Sequence, residues 1–326
     1  MLYPIIFEPR FKDRIWGGRE LERLYGKRMP ASQPIGESWE ISDRPGDASV
    51  IANGPLAGKD LRWLMEQHAA EILGEAQPAA AGRFPLLCKI LDARDKLSLQ
   101  VHPPASQAAA LKGEPKTEMW YIADAAPGAS LYVGLKRGVT RAEFEQKIAD
   151  GTVADCFHRI PVCAGDTMFL PSGRVHAIGD GLVIFEIQQN SDTTYRVFDW
   201  NRVGLDGKPR ELHIAPSLAS IDFNDFEPKL VPANYRQAAG FQFRQLVEDP
   251  LFNVQEMVFE KAGSLTLAGE YLRIIAVTKG EATLADDRSG TAAVLKPGDF
   301  CLIPACLKNV AVKAAPATAF LCVEAN

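Results

Sequence analysis

The chain has 326 residues, 47% of them apolar, enough for one large domain or two medium ones around a sizeable core. A formal charge of −5 argues against non-specific binding to nucleic acid or to an anionic membrane surface, and no apolar run approaches the length of a membrane span. The six cysteines, Cys88, Cys156, Cys163, Cys301, Cys306 and Cys322, form no CxxC pair and read as reduced core thiols of a cytoplasmic protein.

The opening MLYPIIFEPRFKDRIWGG is interrupted by Pro4, Pro9 and charges before a signal-like core could form. Asp60 to Leu73 has apolar residues at helical spacing and a stop at Gly74, which makes His68 an exposed helix residue. Leu97 to His102 then alternates: Leu97, Leu99 and Val101 share one face of a strand, and Ser98, Gln100 and His102 share the other. An amide and an imidazole two residues apart on one face can converge on one point. In KTEMWYI, Lys116, Glu118 and Trp120 again share a face. Ala142 to Asp150 is a second helix, ending before Gly151, and the turn FLPSG leads into a strand on which Arg174, His176 and Ile178 share a face. Gln100, His102, Glu118 and His176 thus form a nitrogen and oxygen donor set on three strands, suited to zinc or another divalent first-row ion. Each histidine taken alone fits a hydrogen-bonded core residue equally well. His158 and His213 stand outside any such pattern.

Outside the two helices, Gly or Pro turns recur every eight to twelve residues between runs rich in Val, Ile, Phe and Tyr, an all-β pattern with helical insertions. A repeat sharpens it. Ala164 to Pro171 reads AGDTMFLP and Pro297 to Pro304 reads PGDFCLIP; five residues beyond the last proline stands His176 in the first copy and Asn309 in the second. LRIIAVTKGEATL supplies two strands around Lys279-Gly280 for that second copy. The expected fold is mainly β: two cupin barrels, each a double-stranded β-helix or jelly roll, with a helical insertion near residues 57–82 and a helix near 140–150. Residues 1–235 would form the metal-binding catalytic barrel and residues 236–326 a degenerate one that has lost the ligand.

The motifs LSLQVHP (Leu97 to Pro103), KTEMWYI (Lys116 to Ile122), FLPSGRVHAIGDG (Phe169 to Gly181) and FEIQQNSDTTYRVFDWNR (Phe185 to Arg202) occur in that order, preceded by RIWGG and by GESWEIS from Gly36 to Ser42. Together they resemble the type I mannose-6-phosphate isomerases of the short bacterial form. The segment PPASQAAALKGEPK departs from that pattern, where a more acidic stretch is expected, and is read as a surface loop. The resemblance implies a zinc-dependent aldose-ketose isomerase with one Zn²⁺ per chain, acting on a phosphosugar as a monomer or homodimer. It makes Gln100, His102, Glu118 and His176 the metal ligands and Arg196 the active-site arginine.

Aldose-ketose isomerisation removes a proton alpha to a carbonyl and returns it to the neighbouring carbon, so the enediolate between is the species to stabilise. Arg196 could offset that charge or grip the phosphate, or pair structurally with Asp199. Lys116, Glu186 and Asp192 are rival bases. Lys116 could equally be an ordinary loop lysine, and Glu186, between Phe185 and Ile187, could face solvent. Ser98 is either a phosphate contact or a small filler, and Trp16 and Trp39 are core or pocket-wall aromatics. Two other functions suit a metal-bearing barrel: an iron dioxygenase, for which a histidine-rich set would be usual, and a non-catalytic sugar-binding bicupin.

Overall fold

The computed structural model describes residues 1–31, 33–286 and 290–326. Its strands form four antiparallel sheets, paired into two barrels. The first barrel opposes a six-stranded sheet, ordered Arg10–Gly18, Ile35–Ile41, Leu86–Ala93, Leu182–Gln189, Glu118–Ala125 and Thr167–Leu170, to a five-stranded sheet, ordered Tyr195–Phe198, Leu99–Val101, His176–Ile178, Ser130–Leu135 and Phe157–Pro161. Trp120, Ile122, Leu131, Val133, Met168 and Ile184 fill the space between them. The second barrel opposes a seven-stranded sheet to a four-stranded one over a core that includes Phe259, Ile275, Leu284, Val310 and Phe320.

The barrels pack back to back through their larger sheets. Cys88, Ile90, Phe185 and Ile187 of the first meet Ile274, Phe300, Leu302 and Leu321 of the second, with Phe185 stacked on Phe300 at 5.4 Å between ring centroids. Leu86–Ala93 and Leu182–Gln189 are therefore buried on both faces, which is why they read as nearly unbroken apolar runs. This corrects the solvent-facing alternative for Glu186: the polar face of its strand is the interior of the first barrel, and the side chain is buried.

The helix Leu61–Leu73 is capped by Asp60, whose carboxylate accepts from the Trp63 N–H at 2.7 Å, and it buries Leu61, Leu64, Met65, Ile72 and Leu73 in the inter-barrel core. The Glu71 and Ile72 carbonyls accept from Cys306 and Ala305, which ties this helix to the second barrel. His68, half-buried, pairs with Glu71 on the same helix at 2.5 Å. The second expected helix runs Arg141–Ala149 behind a Thr140 cap. The segment after His102 is largely exposed, as a surface loop should be, and includes a short helix, Ala105–Ala108.

The repeat is a repeat of turn geometry. Gly165 and Gly298 have φ of 93° and 87°, a region open to glycine. Asp166 and Asp299 each accept from the N–H three residues back, at 2.8 Å, and feed the strands Thr167–Leu170 and Phe300–Ile303. His176 then begins the strand His176–Ile178, buried; Asn309 begins Asn309–Ala314, exposed. One strand departs from a division at residue 235: Ile5–Ile6 pairs with Cys301 and Leu302, so the start of the chain completes the second barrel's larger sheet. All six cysteines are free thiols, and no helix among the described residues is long and apolar enough to cross a membrane.

Candidate metal centre and active site

Strand register assembles the site. In the five-stranded sheet, Arg196, Gln100 and His176 lie side by side on adjacent strands, with His102 one residue past the end of its strand. In the six-stranded sheet a row runs Trp39, Lys89, Glu186, Trp120, and Glu118 begins the strand that carries Trp120. The sheets face each other, so the donors converge. Glu118 lies 3.7 Å from His102 Nε2 and 3.4 Å from His176 Nε2, and the ligating atoms of the three all lie within 4.8 Å of one another.

The donor chemistry suits a divalent cation. His102 Nδ1 meets the Thr193 carbonyl at 2.8 Å and His176 Nδ1 meets the Arg174 carbonyl at 2.9 Å. A carbonyl only accepts, so each Nδ1 carries the proton and each Nε2 presents its lone pair inward. Burial pushes His176 down to about 3, and burial with the adjacent Lys116 charge also lowers His102, so both imidazoles stay neutral. Burial alone would raise Glu118, but the Lys116 charge beside it outweighs that and holds the carboxyl well below the usual range. Both Glu118 oxygens are buried without a hydrogen bond; Oε2 meets the Lys116 ammonium, and Oε1 has no cation beside it, an arrangement costly unless one binds there. Gln100 lies beside the set: its amide nitrogen is 3.3 Å from His176 Nε2, and its carbonyl oxygen accepts from Ser98 at 3.3 Å.

Lys116 precedes its strand yet is buried, paired with Glu118, 3.3 Å from His102 Nε2 and 3.7 Å from Glu186 Oε1. It is no ordinary loop lysine. Burial would depress it, but the Glu118 and Glu186 carboxylates hold it above its ordinary value. Glu186 accepts from Trp120 Nε1 at 2.9 Å through one oxygen, while the other is buried with no hydrogen bond. Burial and the Glu118 charge raise it. Asp192 is exposed at the rim.

Ser98, Gln100, Lys116, Glu186, Asp192 and Arg196 line a cavity of about 590 Å³, a size usual for a small-molecule site, and His102, Glu118 and His176 lie against its Gln100 and Lys116. The pairing of Arg196 with Asp199 does not occur: Asp199 binds Arg202 at 2.8 Å and Arg210 at 2.5 Å, whereas Arg196 donates to the Glu211 carbonyl at 2.7 Å. Arg196 Nε is left without a partner, and burial together with the neighbouring Arg210 charge lowers the guanidinium from its usual value. Six charged wall residues escaped the sequence analysis: Asp13, Arg14, Glu37, Lys89, Asp206 and Arg210. For Lys89 a signal existed, a lone lysine within the apolar run LLCKILDA.

Comparison with known proteins gives a consistent set of relatives. The family described as "Phosphomannose isomerase type I, catalytic domain" matches residues 5–125. Mannose-6-phosphate isomerase of Streptococcus mutans is 35% identical over 310 residues, 95% of either chain. Mannose-6-phosphate isomerase ManA of Bacillus subtilis is 37% identical over 304 residues, 92% of this chain and 93% of the relative. The crystal structure of the mannose 6-phosphate isomerase from Bacillus subtilis covers 99% of both chains with a TM-score of 0.88 and 31% identity.

Proposed function

The chain belongs to the type I mannose-6-phosphate isomerase family, and we propose that it interconverts mannose 6-phosphate and fructose 6-phosphate with one Zn²⁺ per chain, held by Gln100, His102, Glu118 and His176. The observation that carries this reading is the convergence of two neutral imidazoles and a buried carboxylate whose Oε1 has no partner, beside a cavity that presents Gln100, Lys116, Glu186 and Arg196. A divalent ion there supplies charge against the oxygens of the two reacting carbons. Catalysis falls to residues 1–235, with residues 236–326 as support.

The chain's own groups do the rest. Of Lys116 and Glu186, 3.7 Å apart and both buried, Lys116 is held charged, so Glu186 takes the proton from one carbon and returns it to the next while the ammonium offsets charge beside it. The free oxygen of Glu186 is the acceptor, and its raised pKa suits a base that works near neutrality. Asp192, out at the rim, lies too exposed for that step and meets the sugar's hydroxyls instead. Arg196 brings a fixed, two-pronged positive charge to the phosphate or to the enediolate, and Ser98, buried beside Gln100, adds a hydroxyl to the same wall. Burial of this machinery keeps water from the intermediate.

The test is an assay coupled to fructose 6-phosphate formation, run with oxygen uptake monitored in parallel. Formation of fructose 6-phosphate without oxygen consumption is expected. Oxygen consumption, or sugar-phosphate binding with no turnover, would overturn the reading.

A further inference from the structure

The cavity wall holds a buried charge that the scheme above does not use. Lys89 is 5% exposed, lines the cavity and has its ammonium 5.0 Å from the centre of the Trp39 ring. Its two carboxylate partners, Glu37 and Glu186, each stand 3.5 Å away, well beyond the roughly 2.7–2.9 Å of a charge-assisted hydrogen bond. A lysine in this protein can close such a gap: Lys27, also buried, sits 2.8 Å from Glu40.

Glu37 has no need of Lys89. One of its oxygens accepts from Arg14 at 2.7 Å and the other from the Trp39 indole at 2.6 Å. Glu186 is satisfied on one side only, by Trp120, and the oxygen nearest Lys89 has no hydrogen bond. The wall therefore presents a donor and an acceptor side by side, 3.5 Å apart, both turned to the cavity and neither well matched by the other. A hydroxyl group is the ligand that answers both, since it accepts from an ammonium while donating to a carboxylate. Phosphate would be repelled by Glu37 and Glu186, and an apolar group would leave two buried charges unsolvated.

We infer that Lys89 is a substrate-binding residue that, with one lone pair of the free Glu186 oxygen, grips one hydroxyl of the hexose chain outside the reacting pair of carbons, the other lone pair of that oxygen remaining for the proton transfer. The inference rests on the isomerase reading given above. Gripping that hydroxyl brings the neighbouring carbons to the Lys116–Glu186 pair and makes the site select sugars that carry a hydroxyl at that position.

The experiment compares wild type with Lys89→Met, which keeps the stem over Trp39 and removes the donor, on mannose 6-phosphate and on its 3-deoxy and 4-deoxy analogues. For wild type, one analogue should lose roughly 10- to 100-fold in kcat/KM, the range expected for a hydrogen bond to a charged group. Lys89→Met should lose a similar factor on mannose 6-phosphate, mostly in KM, retain its bound metal, and no longer distinguish that analogue from the parent sugar. Equal kcat and KM in the variant, or a deoxy penalty that persists undiminished in it, would overturn the inference. Lys89→Gln, which restores a neutral donor, should recover part of the loss and serves if the methionine variant does not fold. Wild type inactive on mannose 6-phosphate would instead sink the isomerase reading itself.

Discussion

His176 and Arg196 flank Gln100 on adjacent strands, yet the two are expected to fail differently when changed. Removing one of only two imidazoles, His176→Ala should lower metal affinity by well over the roughly 10- to 100-fold typical of changes one layer further out. Metal analysis of the dialysed variant checks this, and wild-type content would mean that the ligand set is wrong. Arg196→Ala should keep its metal. If Arg196 acts on charge that develops in the enediolate, kcat falls roughly 100-fold or more; if it grips the phosphate, KM rises as well. Arg196→Lys should recover little, because the fork is lost although the charge remains. Steady-state kinetics with unchanged kcat and KM would make Arg196 structural. That the convergence of these side chains was legible in the sequence has a simple cause: Gln100 and His102, and Lys116 and Glu118, sit two apart beside apolar neighbours, so alternation placed each pair on one face. Glu37 and Lys89 carried a weaker signal. Their strands are buried on both faces, and no alternation singled out the side that faces the cavity.

At the scale of an element, the strand Arg10–Gly18 brings Arg14 and Trp16 to the cavity and runs directly into the helix Glu20–Tyr25. Asp92 joins them, accepting from the Glu20 N–H at 2.7 Å while lying so close to Gly18 that a Cβ there would stand 2.7 Å from its carboxylate. Burial pushes Asp92 up to about 6, against that hydrogen bond. Since the folded value lies above the ordinary one, the native state binds the proton more tightly than the unfolded chain between about pH 4 and 6, and stability is lost as pH rises through that window. Melting curves of wild type and Asp92→Asn should therefore converge or cross in wild type's favour as pH falls from 7 to 5. A difference in Tm that does not change with pH would show that Asp92 is not perturbed. The helix Leu61–Leu73 was readable from its spacing and its Gly74 stop; its role as a bridge was not, because its partners Ala305 and Cys306 lie far along the chain.

Over the whole molecule, two barrels share one apolar interface, and the first strand of the chain is paired in the second barrel. They should unfold together. Phe300→Ala, which deletes a ring stacked on Phe185 next to Glu186, should cost roughly 3–5 kcal/mol and lower a single cooperative transition; calorimetry that resolves two transitions, only one of them shifted, would show independent barrels. The sequence repeat foretold the second barrel's turn, whereas the back-to-back packing depended on faces that only the assembled sheets define. Among the described residues, the one cluster of three side chains that could hold a metal ion is His102, Glu118 and His176. The central claim, an isomerase that depends on one ion in the first barrel, is tested most directly by titrating chelator-treated protein with Zn²⁺ while following mannose 6-phosphate turnover. Turnover should start from the background rate, rise in proportion to bound metal and level off at one ion per chain. Full turnover before any metal is added, or a plateau that requires two, would contradict it.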